Sequence, residues 1–173
     1  MKKIMRLFII IISHIVILSC ISCTTYLNPY NFDMKGIHAP FLQTSKPISV
    51  RARLVGTSVR ELPLPSGAVI VNEDDFTKVL VDKITESLKN KAVTVTHDTD
   101  GTIEIQVDRV SIEPTATMNC VIDYKRRLGN GEFYGFQSRS ENWNFVTACD
   151  NALEKAVNDI LNEQTTIEYL KGN

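Results

Sequence analysis

The chain has 173 residues, 43% apolar and 23% charged, with a formal net charge of −1. That apolar share can build the core of one ordinary domain, which excludes disorder throughout. With 8 Gly, 6 Pro and 4 Cys, a collagen-like chain and a disulfide-dense miniprotein are excluded as well, and 3 His leave little material for histidine-based catalysis.

The N-terminus carries Lys2, Lys3 and Arg6 without an acid, then the apolar run Leu7–Leu18, then Ser19-Cys20. A basic start, an apolar centre and a small residue at the end are the parts of a secretory signal. As a helix the run reaches about 18 Å, short of the ~30 Å hydrocarbon core, so a signal fits better than a membrane span. Ile17-Leu18-Ser19-Cys20 resembles a bacterial lipobox, with Leu18 where a smaller residue is usual. The resemblance implies a signal peptide over 1–19 and diacylation of Cys20, which would be the membrane anchor. Cys23 after Ser22 is the rival acceptor, and soluble export with both cysteines incidental is the plainer alternative. From Cys20 onward 16 basic residues face 20 acidic ones, net −4, which disfavours nonspecific nucleic-acid binding.

Residues 24–46 contain Pro29, Gly36 and Pro40 and hold no period of 2 or 3.6. They read as a tether, so that 20–47 links lipid to domain. Flexible, these residues would average roughly 26 Å end to end. Tyr26, Tyr30, Phe32 and Phe41 are apolar for a linker and fit equally well on the surface of the domain.

The folded domain is expected over 48–173. Ile48, Val50, Ala52 and Leu54 alternate with polar residues as a half-buried strand, and Leu62-Pro-Leu-Pro-Ser-Gly67 reads as a loop. A helix is predicted over 73–90, capped by Asn72, with Glu73, Asp74 and Asp75 at its positive end and Phe76, Leu80, Ile84 and Leu88 as its apolar stripe. Val93 and Val95 begin another strand, ending at His97-Asp-Thr-Asp-Gly101.

Two long strands follow. Ile103, Ile105 and Val107 share one parity and Val110 and Ile112 the other, against a constant parity of Met118, Cys120, Ile122 and Tyr124. Pairing 112 with 118 and 107 with 122 needs one extra residue at Asp108-Arg109, a β-bulge; the simpler rival ends the strand there. Gly129-Asn130-Gly131 signals a hairpin. A three-residue loop with a left-handed glycine sets Tyr124 opposite Phe136 and Ile122 opposite Ser138. A second helix, capped by Asn144, buries Val146, Cys149, Ala152, Leu153, Ala156, Val157, Ile160 and Leu161. A short turn around Ile167, Tyr169 and Leu170 closes the chain.

The expected fold is therefore α+β, a mixed, mainly antiparallel sheet of four to five strands with two helices on one face, in the order β-α-β-β-β-β-α. With the lipobox, this order, the segment Ala152-Leu153-Glu154-Lys155-Ala156-Val157-Asn158-Asp159-Ile160-Leu161 and the coda Glu168-Tyr169-Leu170, the chain resembles the YajG-like family of bacterial lipoproteins over roughly residues 48–170. Such families often have Gly after the first helix, where this chain has Lys91-Ala92. The resemblance implies fold and anchoring more than an activity.

No Ser-His-Asp order, His-Glu-x-x-His helix or Cys-x-x-Cys pair is present. Asp98-Thr-Asp-Gly101 reads as a turn, because its glycine and the following Arg109 do not fit a calcium loop. Glu61, Glu113 and Glu132 have no spacing that selects them as a catalytic pair, and neither a metal nor a cofactor is expected. Lys125-Arg126-Arg127, with Arg139 on the next strand, is the one concentrated charge feature. It could meet an acidic envelope protein or the phosphates of a glycolipid, or simply keep a strand edge solvated. Trp143 reads as a core or cap anchor. Cys120 and Cys149 are expected in one core layer; a bridge between them and two buried thiols are both open.

The functional expectation is a lipid-anchored envelope protein, facing the periplasm from the outer membrane, that acts by binding as an accessory in envelope assembly or maintenance. The alternatives are an envelope hydrolase or transferase with a carboxylate site, and a structural lipoprotein without a specific ligand.

Overall fold

A computed structural model describes residues 23–29, 37, 46–56, 59–65, 67–97, 99 and 101–172. The signal peptide and Cys20 lie outside the described residues. In chain order the elements are β1 (Cys23–Tyr26), β2 (Ser49–Ala52), β3 (Val59–Leu64), β4 (Gly67–Asn72), α1 (Glu73–Asn90), β5 (Thr102–Pro114), β6 (Met118–Leu128), β7 (Tyr134–Asn142), α2 (Phe145–Asn162) and α3 (Gln164–Lys171). The fold is α+β, with the strands divided between two sheets, β1-β4-β3 and β2-β5-β6-β7.

The four-stranded sheet is the one expected from parity. Ile103, Ile105, Val107, Val110 and Ile112 of β5 and Cys120, Ile122 and Tyr124 of β6 face one core with the stripes of α1 and α2. The register shifts between Val107 and Arg109, which places the bulge at Asp108 as the parity change requires. The pairing itself is two residues away from the expected one. Ile112 faces Cys120 and Val107 faces Tyr124, because a tight turn closes the hairpin, with the Thr115 N–H donating to the Thr117 carbonyl at 2.8 Å. A two-residue slip leaves every side chain on its own face, so parity could not detect it.

Tyr124 faces Phe136 and Ile122 faces Ser138, as the aromatic pairing demands; the two rings lie 5.6 Å apart. Gly129 has φ +54, in the left-handed region. The connection is longer than three residues, since β6 ends at Leu128 and β7 begins at Tyr134.

Both helices carry the expected caps. Asn72 accepts from the Asp74 N–H, and Asn144 from the Val146 N–H at 2.8 Å. The acids of the first turn of α1 do more than complement the dipole. Glu73 accepts from Arg60 of β3, Asp74 from the N–H groups of Val55 and Gly56, and Asp75 from the Tyr26 hydroxyl of β1. Burial acts to raise the Asp75 carboxyl, but donation from Tyr26 and Lys78 outweighs it and lowers the value. Arg60 also donates to the Val110 carbonyl at 2.8 Å, which ties β3 to β5. One helix start therefore holds both sheets together.

Residues 23–29 lie on the domain, one of the two placements open to them: β1 pairs parallel with β4, and Leu27 is 2% exposed; Tyr30, Phe32 and Phe41 lie outside the described residues. Three expectations are corrected. Leu62-Pro63-Leu64 is strand and not loop, since it pairs antiparallel with β4; Pro63 is tolerated because β3 is an edge strand. Val95 makes only a single parallel bridge to Ile48, and β5 takes the place beside β2. The closing turn is a true helix, α3, with Leu170 fully buried. Among the described residues no helix is long and apolar enough to cross a membrane.

Candidate functional site

The basic cluster is divided by the pleat. Lys125 and Arg127 of β6 and Arg139 of β7 share the outer face of the sheet, whereas Arg126 points inward and is 2% exposed. Arg126 is therefore not part of a surface patch, which corrects the expectation of four clustered cations. The three outer ones each meet an acid of β5: Lys125 with Asp108 at 2.6 Å, Arg127 with Glu104, and Arg139 with Glu113 at 3.3 Å. Sequence spacing displays the cations in a row; the neighbouring strand supplies their counter-charges. Phe133 adds an apolar element, with the guanidinium groups of Arg53 and Arg127 over its ring at 5.0 and 4.8 Å.

Arg126 forms the wall of a cleft of about 460 Å³ where the β6–β7 hairpin meets the α2–α3 junction. Leu128, Glu132, Tyr134, Phe136, Glu163 and Thr165 also line it. The Arg126 guanidinium donates to Glu163 at 2.6 Å and to Thr165 at 2.8 Å, bonds Thr166, and lies 5.0 Å from the centre of the Phe136 ring. Its Nε is buried without a partner. Burial acts to raise the Glu163 carboxyl, but donation from Thr165, Arg126 and the Thr166 N–H, together with the Arg126 charge, holds it at about 2. An acid locked in its ionised form cannot serve as a proton donor near neutral pH. The cleft presents the Phe136 ring, Tyr134, 60% exposed, and, in its wall, the Arg126 side chain already paired with Glu163. It opens beside β7, which is an edge strand of its sheet.

The remaining candidates are dispersed. Glu61 lies on β3, Glu113 near the end of β5, where it meets Arg139, and Glu132 in the β6–β7 connection beside the cleft. Among the described residues no group of three His, Cys, Asp or Glu is placed to hold a metal. Cys120 and Cys149 are joined by a disulfide with Cα atoms 5.0 Å apart. Trp143 is 81% exposed and anchors neither core nor cap, which corrects its expected role. Sequence reading missed Glu163 because its partner Arg126 is 37 residues away; only the glutamate preceding a Gln-Thr-Thr helix start hints at a cap.

No protein-family model matches the chain, and no curated protein matches it. Among solved structures, protein XCC0632 from Xanthomonas campestris, of family DUF330, is similar with a TM-score of 0.55 at 12% identity, over 86% of this chain and 93% of that one. A minor lipoprotein from Acinetobacter baumannii gives a TM-score of 0.43 at 12% identity, over 72% of this chain and 95% of that one. The first likeness shows a shared fold; at 12% identity no residue role passes with it. No family model shows the YajG-like family, so that resemblance stays one of element order.

Proposed function

We propose that this protein is an exported envelope lipoprotein, anchored through Cys20, that acts by binding and not by catalysis. The observation that carries the export part of the reading is the buried Cys120–Cys149 bridge, because a structural disulfide belongs to an oxidising compartment. It supports export independently of the signal-like N-terminus. The binding surface is the cleft beside the β7 edge, and the partner is an extended segment of another envelope protein. An open strand edge supplies unpaired backbone groups, while Tyr134 and Phe136 offer apolar contact next to it. The outer cations fit a glycolipid phosphate less well, since each is already paired with an acid.

Photo-crosslinking in intact envelopes tests this. A photoreactive residue at Tyr134 is expected to give a discrete protein adduct, and one at Asp82, on the surface of α1, is not. Equal labelling from both positions, or adducts to glycolipid alone, would overturn the assignment.

A further inference from the structure

We infer that the tip of the β3–β4 hairpin seats on the membrane surface beside the lipidated cysteine, so that the domain is held against the bilayer and not at the end of a leash. This rests on the anchoring of Cys20 proposed above. Only Ile21 and Ser22 separate Cys20 from Cys23, the first residue of β1, and the three Cα–Cα steps reach about 11 Å at most. The polar layer on each side of a bilayer is roughly 6 Å thick, half the difference between its total and hydrocarbon thickness. An acylated Cys20 lies within that layer, so the start of β1 cannot rise far above it.

Pairing then brings the hairpin tip to the same level. Cys23 is opposite Gly67, and Gly67 is opposite Leu64. With strands about 4.8 Å apart, the tip lies roughly 10 Å to the side of the anchored strand. The tip is built for such a surface. Residues 62–67 carry no charge in a chain that is 23% charged. Pro63 and Pro65 are exposed, and neither has an N–H to leave unpaired on contact with lipid. Leu62 and Leu64 lean on the core while remaining partly exposed. The other end of the hairpin, where Val59 faces Asn72, adjoins the acids Glu73, Asp74 and Asp75. Those carboxylates are thereby turned away from an anionic lipid surface.

The test uses the full acylated chain in vesicles of phosphatidylethanolamine and phosphatidylglycerol with brominated acyl chains. In a Trp143→Phe background, Pro65→Trp places the sole tryptophan at the tip and Val59→Trp places it at the far end. Bromolipid is expected to at least halve the emission of the first and leave the second nearly unchanged. Equal emission from both, on protein whose mass shows acylated Cys20, would overturn the docking alone. Absence of acyl mass on Cys20 would overturn the anchor and the docking with it. The unaltered chain gives a second reading: a lipid-soluble carbene reagent is expected to label the peptide containing 62–67, and its failure to do so would also overturn the docking.

Discussion

Arg126 of β6 donates to the Glu163 carboxylate at 2.6 Å, and the same carboxylate accepts the Thr166 N–H at 2.9 Å as the cap of α3. One acid thus caps the final helix and neutralises an arginine whose side chain is 3% exposed. The last helix is docked on the sheet by charge as well as by Leu170.

The Arg126→Ala substitution is expected to cost about 2–3 kcal/mol. Breaking a fully buried pair costs more, but the Glu163 side chain is 29% exposed and water compensates part of the loss. Urea unfolding at pH 7 measures it; a change below about 0.5 kcal/mol would mean that the pair contributes no more than a surface contact.

The same pair imposes a pH dependence. The Glu163 carboxyl sits at about 2 in the folded chain against 4.5 ordinarily. Because the folded value is the lower one, the ionised acid favours folding fully above pH 4.5, and the contribution is lost as the pH falls towards 2. The thermal midpoint of Glu163→Gln is expected to fall less steeply than that of the parent between pH 5 and pH 2. Parallel curves would exclude this assignment.

The Cys120–Cys149 bridge spans a sequence separation of 29. Chain entropy assigns such a loop about 3–4 kcal/mol of stabilisation. Cys149→Ser is expected to lower stability by that order, and the parent is expected to show neither thiol alkylatable after unfolding without reductant. Two labelled thiols at these positions would rule the bridge out.

Ala92 has φ +61 just past the end of α1, and it is exposed. A β-carbon there is strained and makes no buried contact in return. Ala92→Gly is therefore expected to stabilise by about 0.5–1 kcal/mol, after allowing for the greater freedom of glycine in the unfolded chain. Denaturant titration decides, and a loss of stability would contradict the strain argument.

For the anchor, Cys20→Ala is expected to abolish acylation while Cys23→Ala leaves it intact. Intact-mass measurement of membrane and soluble fractions checks both. Acyl mass on the Cys20→Ala protein would transfer the anchor elsewhere.

What the sequence determined by itself was local. Asn72 and Asn144 cap their helices because a side-chain oxygen two residues from an unpaired N–H needs no distant partner. The bulge at Asp108 and the Tyr124–Phe136 pairing followed from parity, since a strand buried on one face must keep its apolar residues there. Tertiary structure alone decided the rest, because the partners are far apart in the chain. β1 has no period of its own and exists by pairing with β4, more than forty residues later. Leu62-Pro63-Leu64 becomes a strand only where an edge excuses its proline. Lys125, Arg126 and Arg127 look like one cluster in a row of letters, yet the pleat sends the middle guanidinium into the core, where Glu163 makes its burial tolerable. A charge's role depends on what it faces, and facing is a property of the folded chain.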